Sequence, residues 1–310
     1  MSDGAPRIGV MGTGAIGGYV GARLAEAGAE VTFVARGRHL AAIRDTGLRV
    51  SSPLGDVHLK PGSATDAPTT VGQVDFVLLG TKLYDVETAA QAMASMVGDA
   101  TAVVCVQNGV DAPELVARLY GRARVVGATV MINAEIVAPG VIRHNALNRL
   151  MVGELDGQAS GRLTRFVALA NAAGIETVSS PDIRLEIWRK FLMMAPMTAL
   201  SAMARVPLGR LRQHAETWRL AAQGMREVVA VANAAGVGLT EDDVQRTLEF
   251  MQGVPTTWRG SLAVDLEQGR RLEVDWLSGA ICRRGRAAGI PTPFHEVAWG
   301  VLKPHAAGAG

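Results

Sequence analysis

Between Arg7 and Gly18 the chain reads Arg-Ile-Gly-Val-Met-Gly-Thr-Gly-Ala-Ile-Gly-Gly, and few folds accommodate that run. Ile8 to Met11 is a short apolar stretch of the kind that forms a buried strand. Gly12, Gly14 and Gly17 follow in G-x-G-x-x-G spacing. Tyr19 to Ala27 reads as a helix that Gly28 ends, and Val31 to Ala35 is a second apolar run that completes a βαβ unit. Each glycine answers a physical need: a tight turn, close approach of backbone to a pyrophosphate, and close packing of helix on strand. The helix start adds free N–H groups and the positive end of a dipole, which suit phosphate. The spacing alone could be a structural glycine turn in a chain with 36 glycines. In its strand–turn–helix–strand setting it predicts a dinucleotide site built on Gly12, Gly14 and Gly17.

The end of the second strand selects the dinucleotide. An NAD site usually places Asp or Glu there to accept hydrogen bonds from the ribose 2′-hydroxyl. This chain has Arg36, followed by Gly37 and Arg38. A guanidinium is planar, permanently charged and able to grip a 2′-phosphate with two hydrogen bonds, so the expected cofactor is NADP(H). The plainer reading of Arg36 is a solvated surface arginine.

At 310 residues the chain is long for one domain, and 48% apolar content supports two buried cores. A net charge of +2 gives no reason to expect nucleic acid or a membrane surface as partner. The start, Met1 to Pro6, has neither a charged leader nor an apolar stretch behind it, and a cytoplasmic location is expected. Cys105 and Cys282 have no metal-ligand spacing and read as buried free thiols, so no metal is expected.

The first half alternates short apolar runs with helical segments, the signature of a parallel sheet covered on both faces. Residues 36–47 read as a short helix, Val74 to Leu79 as a strand ended by Gly80-Thr81-Lys82, and Asp85 to Met96 as a helix. Thr101 to Val106 is a strand ended by Gln107-Asn108-Gly109, with a helix over Ala112 to Tyr120. Three more strands are expected at 125–132, 140–144 and 149–153, then a helix at 163–173 and a strand at 174–178. Ligands of such sheets lie beyond the carboxyl ends of the strands, where Lys82 and Asn108 fall. Past Pro181 the pattern turns helical, with helices expected at 183–203, 217–235, 240–252, 272–288 and 293–302, and a frayed Ala/Gly tail from Ala306. The fold class is therefore α/β: an N-terminal Rossmann-type dinucleotide-binding domain, residues 1–180, with a C-terminal all-helical domain, residues 181–310.

A nucleotide domain joined to a helical one suggests, by analogy, a dehydrogenase with its site between them, so the helical half has to supply an acid or base. Lys190, in Glu186-Ile-Trp-Arg-Lys190, stands beside the apolar run Phe191 to Met197, though a lysine in that setting is more often a snorkelling surface residue. Ser261 and Asp265, followed by Glu273-Val-Asp-Trp-Leu-Ser-Gly279, supply a hydroxyl and carboxylates.

Taken in order, these pieces resemble the ketopantoate reductase (2-dehydropantoate 2-reductase) family over nearly the whole length. They are Gly12 to Gly18, Arg36, Thr81-Lys82, Gln107-Asn108-Gly109, Glu186-x-Trp188-x-Lys190, Ser261-Leu-x-x-Asp265, Glu273-Val-Asp275-x-Leu-x-Gly279 and Gly289-Ile-Pro-Thr-Pro293. The resemblance implies a Rossmann domain that binds NADPH and a helical domain that closes over it, reducing 2-dehydropantoate (ketopantoate) to pantoate in pantothenate biosynthesis. It implies Lys190 as the general acid towards the keto oxygen and Asn108 as a holder of substrate and nicotinamide. It places Lys82 at the cofactor and makes Ser261 and Glu273 binders of the substrate's carboxylate and hydroxyl ends. A homodimer through the helical domains is also in keeping with the family.

Four positions depart from the family pattern. Met194 and Thr198, one and two turns beyond Lys190, and Trp258, three residues before Ser261, stand where the biosynthetic enzyme tends to have asparagines, and Ser278 replaces a fourth. A substrate pocket lined by Met194, Thr198 and Trp258 would be less polar and bulkier, and lost hydrogen-bond partners remove a basis for discrimination. The leading expectation is an NADPH-dependent 2-keto acid reductase with ketopantoate as substrate. One alternative is a relative acting on a bulkier or more apolar 2-keto acid, or as a hydroxy-acid dehydrogenase. The other is a non-catalytic NADP(H) sensor, against which the presence of Lys190 and Glu273 argues.

Overall fold

The computed structural model describes residues 4–309. Met1 to Asp3, on which half of the leader reading rests, lie outside the described residues. The described chain divides into two compact units: the residues up to Asn108 together with Ala112–Glu186, and Gly109–Asp111 together with the residues from Ile187 on.

The first unit is a ten-stranded sheet with helices packed on it. Its elements are β1 (Arg7–Met11), α1 (Ala15–Glu26), β2 (Glu30–Val34), α2 (Gly37–Thr46), β3 (Arg49–Ser51), β4 (Val57–His58), β5 (Ala64–Thr65) and β6 (Phe76–Leu79). They continue with α3 (Val86–Ala92), β7 (Ala102–Cys105), α4 (Ala112–Tyr120), β8 (Val125–Ala138), β9 (Val141–Glu154), α5 (Gly161–Ala172) and β10 (Glu176–Ser179). Strand order along the sheet is β4-β3-β9-β8-β7-β6-β1-β2-β5, with β10 beside β9. From β8 to β5 every pairing is parallel, which is the doubly wound order. β6 and β7 are buried at every residue, as parallel strands covered on both faces must be. Tyr19, Leu24, Phe33, Phe76, Leu78, Val104 and Phe166 anchor the core. The order reverses between β1 and β6, which places a crevice at their carboxyl ends.

The three strands expected between 125 and 153 are two of fourteen residues each, β8 and β9, paired antiparallel around a turn where Gly140 takes φ +73°. Register shifts at Ile132, Asn133 and Ile136 break the apolar alternation that would have revealed their length.

The second unit is helical: α6 (Ile183–Ala204, which starts in the first unit), α7 (Leu208–Arg212), α8 (Ala215–Ala234), α9 (Glu241–Gly253), α10 (Ser261–Glu267), α11 (Ser278–Ala288) and α12 (Pro293–Leu302). The helix expected over 272–288 begins only at Ser278, because the Glu273 carbonyl accepts from the N–H groups of Trp276 and Leu277 in a turn that precedes it. The tail is not frayed: Leu272 N–H donates to the Ala306 carbonyl at 3.0 Å and Ala309 N–H to the Gly269 carbonyl at 2.8 Å. Among the described residues no helix is long and apolar enough to cross a membrane, and no cluster of His, Cys, Asp or Glu could hold a metal ion. Both cysteines are free and buried, and burial pushes the Cys105 thiol up to about 12.

Candidate functional site

In the first unit the turn after β1 forms a cradle. Gly12 takes φ +96°, and a Cβ there would lie 2.7 Å from the Thr81 backbone nitrogen. A Cβ at Gly17 would run into the Gly12 carbonyl oxygen. Neither position tolerates a side chain, so the β1 turn, the start of α1 and the β6 exit pack backbone against backbone. Gly14 is the residue before α1 and offers no side-chain cap, so the first N–H groups of that helix are left for a ligand. Thr13 locks the loop to the sheet, its N–H and hydroxyl both donating to the Val34 carbonyl at 3.0 Å.

Arg36 follows β2 directly as the residue before α2 and is exposed. Among the described residues its guanidinium has no hydrogen-bond or ion-pair partner, as a side chain kept for an anion requires. Lys82 is exposed and follows the β6 exit, while Asn108 is half-buried after β7. Thr81 and Gln107, which enter the sequence reading only as letters of the motifs, each hold a buried side-chain oxygen, Oγ1 and Oε1, without a partner among the described residues. The Gln107 Nε2 donates to the Leu79 carbonyl at 2.8 Å, so chemistry requires that Oε1 face the other way. Two unsatisfied polar atoms at the ends of neighbouring parallel strands are a fault in a finished core and a provision in a ligand site. Backbone cradle, open helix start, free guanidinium and orphaned oxygens together fit a phosphate-bearing dinucleotide.

In the second unit, Lys190 lies in the second turn of α6 and retains some exposure. Burial pushes its ammonium down to about 8, with the Glu273 carboxylate pulling the other way. Glu273 is 6% exposed. The two residues expected to do chemistry thus lie within electrostatic reach of each other, though 83 positions separate them in sequence.

The residues expected to shape the pocket fare differently. Met194 is half-buried, one turn along the Lys190 face. Thr198 is fully buried and its hydroxyl donates to the Met194 carbonyl at 2.7 Å, so that hydroxyl is already engaged within α6. Gly260 packs directly on it, because a Cβ there would sit 2.7 Å from the Thr198 Cα. Trp258 is half-buried and its carbonyl accepts from Leu208 N–H at 2.9 Å, holding the loop against α7. Ser261 is exposed at the first residue of α10. Ser278 belongs to the core: it is fully buried with its hydroxyl 3.1 Å from Nδ1 of His295, and leaves pocket polarity unaffected.

A family model described as Ketopantoate reductase PanE/ApbA matches residues 8–157, and one described as Ketopantoate reductase PanE/ApbA C terminal matches residues 182–306. A 2-dehydropantoate 2-reductase of Mesorhizobium japonicum is 33% identical over 308 residues, covering 93% of this chain and 94% of the relative. One from Archaeoglobus fulgidus is 33% identical over 284 residues, 92% of each protein. Among solved structures, a PanE/ApbA family ketopantoate reductase from Ralstonia eutropha matches with a TM-score of 0.89 at 33% identity, over 97% of this chain and 98% of that one.

Proposed function

The chain belongs to the ketopantoate reductase family, and we propose that it uses NADPH to reduce a 2-keto acid, 2-dehydropantoate, to the corresponding 2-hydroxy acid. The observation that carries this reading is an enclosed lysine, Lys190, whose proton affinity burial lowers, within electrostatic reach of a buried carboxylate, Glu273. The bound nicotinamide supplies the hydride. As the carbonyl carbon is reduced, negative charge grows on its oxygen, and the Lys190 ammonium stabilises that charge and then gives up its proton. A lysine lowered to about 8 is still charged at neutral pH and parts with a proton more readily than an ordinary one. Glu273 orients the substrate hydroxyl end, Ser261 meets its carboxylate and Asn108 holds substrate and nicotinamide. Gly12, Gly14, Gly17, Arg36 and Lys82 hold the dinucleotide, with residues 1–180 as the cofactor domain and 181–310 as the substrate domain. A cytoplasmic homodimer acting on this small molecule is part of the same reading.

Met194 favours a second reading. It occupies the turn after Lys190 with an apolar side chain, and the Thr198 hydroxyl beyond it is already engaged within α6, so that face of α6 suits a bulkier or more apolar 2-keto acid. NADPH consumption followed by absorbance against a panel of 2-keto acids separates the readings. A kcat/KM highest for 2-dehydropantoate supports the first, and one highest for an apolar keto acid supports the second. Tight NADPH binding without consumption on any panel member would defeat both and leave a sensor.

A further inference from the structure

Arg284, just past the middle of α11, enters no motif, yet the second unit closes around it. Its Nε and Nη2 both donate to Asp111 Oδ1, at 3.2 and 2.7 Å, and Arg283 approaches the other carboxylate oxygen at 3.5 Å. The same guanidinium lies over the ring of Trp188, 5.7 Å from its centroid. Trp188 is 2% exposed and meets Phe191 edge-on, ring centroids 5.8 Å apart at 88°. Asp111 and Arg284 are each about three-quarters enclosed, at 24% and 25% side-chain exposure. A planar fork that can stack on an aromatic face while its edge grips a carboxylate is an arrangement lysine cannot reproduce.

Trp188 and Lys190 are two residues apart on α6, about 200° around the helix, and so point from nearly opposite faces. Whatever holds the Trp188 face decides where the Lys190 face points. The helix needs outside support here, because Pro196 has no N–H to give the Leu192 carbonyl and interrupts the hydrogen-bond ladder two residues past the Lys190 carbonyl. We propose that Arg284, clamped by Asp111 and lying over the Trp188 ring, is a positioning residue that fixes the rotation of the first turns of α6 and with it the direction of the Lys190 ammonium. This rests on the proposed function, in which Lys190 is the working acid. It gives the chain just past Asn108, where Asp111 stands, a part in holding that acid.

The chain has four lysines, Lys60, Lys82, Lys190 and Lys303, so reductive methylation with carbon-13 gives a spectrum in which Lys190 is assigned by its loss in Lys190→Ala. In the wild type Lys190 should titrate near the value of about 8 that its enclosure gives it. Arg284→Met should move that titration upward by about one unit or more as the ammonium leaves its site, and lower kcat about tenfold or more, with the Kd for NADPH unchanged within about twofold. Arg284→Lys, which keeps the charge but neither fork nor plane, should move most of the way towards the methionine variant. Asp111→Asn should move the same way to a lesser degree, and serves if Arg284→Met does not fold. A wild-type Lys190 titration in Arg284→Met or Asp111→Asn, whatever the loss of Tm, overturns the proposal, as does Arg284→Lys matching the wild type. If the wild-type protein turns over no keto acid, the proposed function fails while the titration still decides the brace.

Discussion

Arg36 illustrates how much one side chain can decide. It is exposed, unpaired among the described residues and fixed at the end of β2, where a 2′-phosphate would lie beside it. A charge-assisted hydrogen bond of the bidentate kind contributes roughly 1.5–3 kcal/mol, so Arg36→Ala should raise the Kd for NADPH about ten- to a hundredfold while barely changing that for NADH. Equal losses for the two cofactors in a binding titration would remove Arg36 from the selectivity determinants. Lys190 is the second such residue. With its proton affinity lowered to about 8, the acid form predominates below that pH and is lost above it, so the reductive rate should fall on the alkaline side of about pH 8. Lys190→Ala should lower kcat by about 10²–10⁴-fold and abolish that alkaline limb, with NADPH affinity little changed. A variant that keeps its kcat and pH profile would show that the proton comes from elsewhere.

At the scale of elements, α12 is held by buried polar contacts that its sequence does not announce. The Glu227 carboxylate, on α8, accepts from the N–H groups of Phe294 and His295 at 2.8 and 3.1 Å and so caps α12. The imidazole of His295 is fully buried between Ser278 Oγ and the Gly224 carbonyl, each at 3.1 Å. A carbonyl only accepts, so Nε2 carries the hydrogen and Nδ1 takes the Ser278 hydroxyl. Burial pushes this histidine down to about 4 from the ordinary 6.5. Between those values the unfolded chain binds a proton that the folded one refuses, so stability is present above pH 6.5 and is lost as pH falls towards 4. The loss amounts to about 3 kcal/mol from this one group. Denaturant unfolding from pH 7 to 4 should therefore show a shallower decline in His295→Gln than in the wild type. Parallel declines would mean that the imidazole is already protonated in the fold.

For the whole molecule the relevant fact is that the two compact units have different jobs in the proposed function. A cofactor that binds only folded protein stabilises it by mass action, by about 2.7 kcal/mol at a hundred times its Kd. The glycine cradle, Arg36, Thr81 and Gln107 all belong to the first unit, so that stabilisation should appear in its unfolding. NADPH should raise the Tm of that transition by about 5–10 °C, and NADH at the same concentration by clearly less. A rise confined to the unfolding of the helical unit would place the dinucleotide elsewhere.

The sequence by itself determined the βαβ start, the switch from alternating strands to helices near residue 180 and the positions of α4 and α12, because each depends on periodicity and on where glycine or proline interrupts it. It also singled out Gly12, Gly17 and Arg36, whose roles follow from backbone conformation and charge at a strand end. Tertiary structure alone decided that Lys190 is enclosed within electrostatic reach of Glu273 and that Arg284 is clamped between Asp111 and Trp188. It alone engaged the Thr198 and Ser278 hydroxyls inside the fold, on a helix carbonyl and a histidine. A side chain's local pattern records which face of its element it occupies, whereas its proton affinity and partners depend on what the fold packs against that face, and residues 83 or 173 positions apart share no local signal.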